Sequence, residues 1–237
     1  MNPIDPEVLR LARTCRGPYL GALSAPSDHQ AGLFALLALH AELARIPSMV
    51  SEPMLGRIRV QWWMDAMPSV VSGRTPSHPV AQALAPLGLD LETLRGIIAA
   101  HNFAFEDGMA SVAEHVGHAS ASGGALAVLM VDVLGVESDA VRTSAHDIGS
   151  AWALAEVLAS GQRVASTEDA QQLRTQAYEK IRQARVNVQA MAKTQRKALS
   201  PVFALMRLVE RQLGNPRAPL GAGAVLSVWW ASLSGRF

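Results

Sequence analysis

From Gly32 to Leu39 eight residues in succession are apolar, inside a segment that reads as one helix from Ser27 or Asp28 to Ile46, stopped by Pro47. A helix that is apolar on most faces has no side to give to water. Eight residues fall far short of the roughly 20 needed to cross a bilayer, so this helix has to lie at the centre of a bundle. The chain then restarts at once. Ser51-Glu52-Pro53 opens a long amphipathic helix through Val71, carrying Trp62-Trp63 and Asp65, with Ser72-Gly73 as its stop. Pro68 lies inside that span and is expected to kink the helix or end it early.

Helix signals recur along the rest of the chain, and strand signals are scarce. Asp5-Pro6-Glu7 begins a first helix to about Arg16, with a carboxylate at the N-cap and proline at N1, and Gly17-Pro18 breaks it. His78-Pro79 opens a short helix to about Leu84, and Asp90-Leu91-Glu92 caps one that can continue to Val116. The small-residue run Ala119 to Ala127 leads into an apolar helix ending at Leu134-Gly135. Ser138 or Asp139 caps the next, to about Ser160-Gly161. Thr167 to Leu199 is the most charged and most periodic segment. Ser200-Pro201 restarts a helix to Leu213-Gly214, and a terminal apolar helix from Pro219 to Leu233 carries Trp229 and Trp230. Eight to ten helices with short connections, and no linker or repeat, imply a single all-α domain over residues 1–237.

Composition narrows the partners. With 21 basic and 20 acidic side chains no global field draws the chain to nucleic acid or an anionic membrane. The single cysteine, Cys15, excludes an internal disulfide framework and fits a reducing compartment. The start of the chain, MNPIDPEVLRLARTC, has neither the apolar core of a signal peptide nor the look of a transit peptide. These features set the expectation of a soluble, cytoplasmic, bacterial protein that does not span a membrane. No glycine-rich nucleotide loop and no nucleophile elbow occurs.

Arg13-x5-Tyr19-x3-Leu23, then LFALLALHAELARI from Leu33, then Val50 to Asp65 (VSEPMLGRIRVQWWMD), then Gly73 and His78-Pro79-Val80-Ala81, form one pattern. It resembles the squalene/phytoene synthase family, most specifically over residues 13–84 and more weakly from Ile148 to Leu158. Within that family it is most similar to the divergent branch containing the mitochondrial complex I assembly factor and its proteobacterial relatives. The resemblance implies an isoprenoid synthase-type helical bundle around a central apolar cavity. Family synthases join two prenyl diphosphates, which requires two carboxylate clusters facing each other across the cavity to hold Mg²⁺ against the leaving diphosphate. Here the first pair of family aspartates falls on Ala44 and Ser48, and the second region reads Ala159-Ser160-Gly161-Gln162-Arg163-Val164. Both clusters are missing. The resemblance therefore implies an inherited fold without the ordinary chemistry, with no resident metal or other cofactor, and Mg²⁺ only in an active enzyme.

Several polar residues remain as candidates. Were the chain an active transferase, Glu42, Glu52, Asp65, Glu106 and Asp107 would be the acids left to hold metal, with Glu106-Asp107 the best placed near the cavity. Tyr19, Arg45, Arg59, Gln61 and Trp62 are candidates for a pocket or partner contact. Arg57 with Gln61, and Gln61 with Asp65, stand at i,i+4 on one helix, which equally suits a solvated face. Adjacent Trp62 and Trp63 are expected to point to different faces, chiefly as packing. His115 and His118 stand at i,i+3 without a carboxylate or thiol cluster to complete a metal site. Arg182, Arg185, Lys193, Arg196 and Lys197 form a basic stretch that suits anionic headgroups, a partner or plain solvation. The aromatic terminal helix, with Phe237 beyond it, suits the core, a membrane interface or a protein groove.

The residues and the resemblance together give a leading expectation and two rivals. The first is a non-catalytic assembly-type factor for respiratory complex I, acting on a protein partner in the cytoplasm or at the periphery of the inner membrane. The rivals are a prenyl diphosphate transferase and a protein that binds a prenyl lipid or diphosphate without turning it over.

Overall fold

Asp5 caps helix α1 (Pro6–Ala12) by accepting a hydrogen bond from the Glu7 amide at 2.8 Å, with Pro6 at the first helical position. A computed structural model describes residues 4–74, 76–215 and 222–234. Gly17-Pro18 turns out not to be a break. Both residues lie in the first turn of a separate helix, α2 (Arg16–Ala22), where a missing N–H costs nothing because that amide has no helical acceptor. Helix α2 touches the C-terminal part of the chain backbone to backbone: a Cβ on Gly21 would sit 2.1 Å from the Pro201 carbonyl oxygen.

Helix α3 (Ser27–Ala44) is the central one. Leu33 to Leu39 are all at most 3% exposed, on every face, as an all-apolar helix requires. Pro47 does more than stop it, since it opens the single turn α4 (Ile46–Met49). Helix α5 (Pro53–Val71) then buries Gly56, Val60, Trp63, Met67 and Val70 along one stripe and ends at Ser72, with Gly73 at φ +77°. Pro68 neither kinks α5 to a stop nor shortens it. It sits on the exposed face, where the carbonyl that loses its helical donor can tilt toward water.

Helix α6 (Pro79–Leu84) packs on α3, and α7 (Leu91–Ala100) starts at an Asp90 cap on Thr93 and packs on α5. The expected run to Val116 does not occur. A tight 3₁₀ segment, His101–Phe105, follows α7, and the chain then turns through Gly108 at φ +76°. It restarts at a capping box in which the Glu114 amide donates to Ser111 Oγ and the Ser111 amide to Glu114 Oε2. The box opens α8 (Val112–Ala119), which passes through a π-helical turn, Ser120–Gly124, into α9 (Ala125–Val133). The continuous span Val112–Val133 is long and apolar enough to cross a membrane by length and composition, with half of it buried inside the bundle.

Helix α10 (Asp139–Ser160) crosses that span at closest range. A Cβ on Gly149 would meet the Gly123 carbonyl oxygen at 2.1 Å, and one on Gly123 would meet the Gly149 oxygen at 2.5 Å. The π turn lies at this crossing, and Ser122 Oγ donates to the His118 carbonyl one turn back. Helix α11 (Thr167–Ala190) lays the stripe Leu173, Ala177, Ile181, Ala184 and Val188 on α10, and Lys180 reaches Asp147 at 3.1 Å. It stops nine residues before the expected Leu199. Short α12 (Lys193–Ala198) and α13 (Ser200–Phe203) lead to α14 (Leu205–Gly214) and α15 (Ala222–Ser234). The expected start of the last helix at Pro219, and Phe237, lie outside the described residues. Val228 and Ala231 face inward while Val225, Leu226, Trp229 and Trp230 are exposed. Among the described residues the only β contact is one isolated bridge, Ala110 to Val164.

The crossing makes a stability prediction. Gly149→Ala forces two backbones apart and should cost about 3 kcal/mol in urea unfolding. Gly96→Ala, in α7 with nothing within 4 Å of its new Cβ, should instead stabilise by about 0.5–1 kcal/mol.

Candidate functional site

The crossing sets α8 against α10, and these two helices with α3 and the 3₁₀ segment after α7 border an open cavity of about 210 Å³. Ala44 on α3 and Ser160 on α10 both line it, so the first and second motif regions do face each other across one space. Ser48 is exposed outside it. Glu156 is the one carboxylate in the lining, one turn before Ser160, and its Oε1 accepts from Gln212 of α14 at 3.0 Å. No motif pointed to Glu156 in the sequence. Its signal was faint: the one acid in the small and apolar stretch from Ile148 to Ser160, at helical spacing from the motif position.

The inner wall is made of imidazoles. His40, His101 and His118 line the cavity beside Trp152, with ring centroids 5.4 Å apart between His40 and His101 and 6.2 Å between His101 and His118. His101 Nδ1 bonds the Ile97 carbonyl at 2.9 Å, and His118 Nδ1 bonds the Ala100 carbonyl at 3.0 Å. A carbonyl only accepts, so in both rings the proton is on Nδ1. Burial pushes His40 down to about 3 and His101 to about 4, and lowers His118 as well, outweighing the backbone hydrogen bonds that act the other way on His101 and His118. All three rings are neutral near pH 7.

The acids singled out in the sequence do not meet. Glu42 is held by Arg45, whose Nη2 lies 2.7 Å from both carboxylate oxygens. Glu52 is exposed at the N-terminus of α5, and Asp65 accepts from Gln61 at 2.8 Å on the outer face of that helix. Glu106 and Asp107 sit in the loop after the 3₁₀ segment, outside the cavity lining. Of the other candidates, the Tyr19 hydroxyl accepts from Arg13 Nε at 3.3 Å and its ring packs on Phe34. Arg59 and Trp62 line a shallow groove on α5 with Met49, Leu55 and Ile58. Trp62 is 43% exposed and Trp63 only 3%, so the pair does split between faces, though both rings also meet edge to edge at 5.0 Å and contact His78. Arg57 does not pair with Gln61, because its Nη2 donates to the Phe105 carbonyl at 2.6 Å. Arg182 and Arg185 are neutralised by Glu179 and Glu210.

Arg163 ties the site together, a role that only the folded chain reveals. Its guanidinium lies 4.3 Å over the Phe103 ring, which itself stacks on His118 at 4.6 Å. It donates to the carbonyls of Phe103, Gly108 and Asp107 and pairs with Glu106 at 3.3 Å. Its own carbonyl accepts from the Ala110 amide at 3.0 Å and from His115 Nε2 at 3.3 Å. His115 therefore serves this clamp and His118 the cavity, and the two do not share a ligand. Arg163 holds φ +58°, the one non-glycine residue in that region among those described.

Magnesium is the metal the family implies, and the donors present do not fit it. Mg²⁺ takes an octahedron of hard oxygens, typically through carboxylates. The cavity offers Glu156 and three nitrogen donors, and no group of three metal-ligating side chains is close enough to hold an ion among the described residues.

The architecture is that of an all-α, isoprenoid synthase-type fold. It is similar to the crystal structure of a dehydrosqualene synthase in complex with ligand, with TM-score 0.70 over 96% of this chain and 95% of that one, at 13% identity. Residues 11–162 match the family model of squalene/phytoene synthase, and the chain belongs to that family. Curated relatives named NADH dehydrogenase (ubiquinone) complex I, assembly factor 6, match over 145 residues, at 28% identity in Bos taurus and 30% in Mus musculus. The match takes in 59% of this chain and 44% of each relative, so the chain spans less than half of their length.

Two predictions follow from the site geometry. Arg163→Ala removes the clamp and should lower stability by about 2–3 kcal/mol, with faster hydrogen exchange at the Ala110 amide. The histidines set a pH dependence. Because the folded pKa values of His40 and His101 lie below 6.5, the unfolded chain binds more protons as pH falls. Stability should be complete above about pH 6.5 and decline as pH drops toward 4 and 3. His101→Asn should flatten that decline in thermal melts over the same range; an unchanged slope would show that the ring is already charged.

Proposed function

We propose that this protein is a non-catalytic member of the squalene/phytoene synthase family that acts as an assembly-type factor for respiratory complex I. One observation carries the reading. At the place where the family's metal-binding acids would face each other, the cavity presents Ala44, Ser160 and three neutral histidines, with Glu156 as its single carboxylate. A departing diphosphate needs several positive charges held in place, and this lining cannot gather them. The named relatives support the role, since they are complex I assembly factors.

The outer surface supports a protein partner. Met54, Leu55, Ile58 and Trp62 are exposed on consecutive turns of α5, beside Arg59. A position at the periphery of the inner membrane is supported by α15. Its exposed Val225, Leu226, Trp229 and Trp230 adjoin α12, which carries the exposed Lys193 and Lys197. The cell compartment belongs to this proposal, as does the organisation of residues 1–237 as one domain.

The test has two arms. Purified protein incubated with farnesyl or geranylgeranyl diphosphate and Mg²⁺ should return the substrate unchanged. Any head-to-head hydrocarbon product would overturn the non-catalytic reading and favour the transferase. In the source cell, loss of the gene should reduce assembled complex I and its NADH:quinone activity. Normal activity in the deletion strain would remove the assembly role.

A further inference from the structure

The cavity is built to hold something other than a diphosphate. His101 and His118 each spend their one ring proton on a backbone carbonyl, which leaves both Nε2 atoms as lone-pair acceptors. The hydrogen bonds of these two rings all run through Nδ1, no described residue bonds either Nε2, and both rings line the cavity. His40 completes the set, its ring 5.4 Å from that of His101. Its Nδ1 is buried with no partner at all. A buried N–H without an acceptor is the rarest kind of orphan, so the proton belongs on Nε2, at the cavity. The wall thus offers one donor and two acceptors beside the Trp152 ring. Glu156, the only charged group in the lining, adds negative charge.

We infer that this cavity is a binding site for a small uncharged molecule bearing a hydroxyl group on an apolar body, such as a phenol or a prenyl alcohol. A hydroxyl is the group that both donates and accepts, so it can give its proton to His101 or His118 Nε2 while accepting from His40 Nε2. A diphosphate has only acceptors. It would face two imidazole lone pairs and the Glu156 carboxylate, with no free cation in the lining to meet it. Size selects further. An apolar cavity of about 150 Å³ holds benzene, so about 210 Å³ takes a ring with small substituents or a five-carbon prenyl unit. The exposed residues Glu156, Ser160 and Gln162 in the lining leave a mouth through which a longer tail can emerge. This site does not depend on the assembly role, and its failure would leave that role standing.

Calorimetric titration of the full chain with two matched pairs decides the matter. p-Cresol should bind about tenfold tighter than toluene, which has the same ring and lacks the hydroxyl. Prenol (3-methylbut-2-en-1-ol) should bind at least tenfold tighter than dimethylallyl diphosphate. The stronger of p-cresol and prenol tells an aromatic ligand from an isoprenoid one. In His118→Phe, which keeps a ring against Phe103, the preference for p-cresol over toluene should shrink severalfold while both still bind. Equal binding of toluene and p-cresol by the unaltered protein would overturn the inference. So would tighter binding of the diphosphate, or no heat with either hydroxyl compound.

Discussion

The structure hangs on a contact with no side chains in it. At Gly123 and Gly149 two helix backbones meet so closely that a single added methyl on either would touch the other's carbonyl oxygen. Two sides of the cavity are placed by that approach. His118 stands just before it on one helix and Trp152 just after it on the other, and both are carried to the same space. The π turn at the crossing belongs to the same bargain of close packing, since it lets Ser122 supply a hydrogen bond to the carbonyl of His118.

Much of the fold was legible in the sequence because helices announce themselves locally. Asp5, Asp90 and the Ser51-Glu52-Pro53 restart mark beginnings that the structure keeps, and Gly73 and Gly161 mark ends where φ turns positive. The buried middle of α3, Gly32 to Leu39, follows from its composition alone. Errors arose where punctuation has two meanings. Proline inside a pattern reads as a break, yet Pro18 and Pro47 sit in first turns and Pro68 on a wet face, where each is tolerated. The segment after Ala100 looked helical throughout, and only Gly108 and the Ser111 box hint at the loop between.

The site was legible in one respect. Ala44 and the Ser160 region could be placed opposite each other through the family resemblance, and they line one cavity. Its chemistry was hidden for a physical reason. His40, His101 and His118 come from three segments with no common spacing, and their meaning lies in which ring nitrogen each backbone carbonyl claims. Isolated histidines in a sequence carry no such information. Arg163 was equally silent, because the four partners of its side chain, Phe103, Glu106, Asp107 and Gly108, sit more than 50 residues upstream in a stretch that reads as helix.

Gly21 against Pro201 has a bearing on how the chain is divided. The family pattern ends at residue 162, and by that measure the last third looks like an addition. Yet the backbone of α2, inside the recognised region, rests directly on the backbone that opens α13, and Gln212 of α14 holds the cavity's only carboxylate. Drift in the C-terminal third is therefore constrained by the N-terminal helices it touches. The N-terminal surface that this third must match limits what it can become.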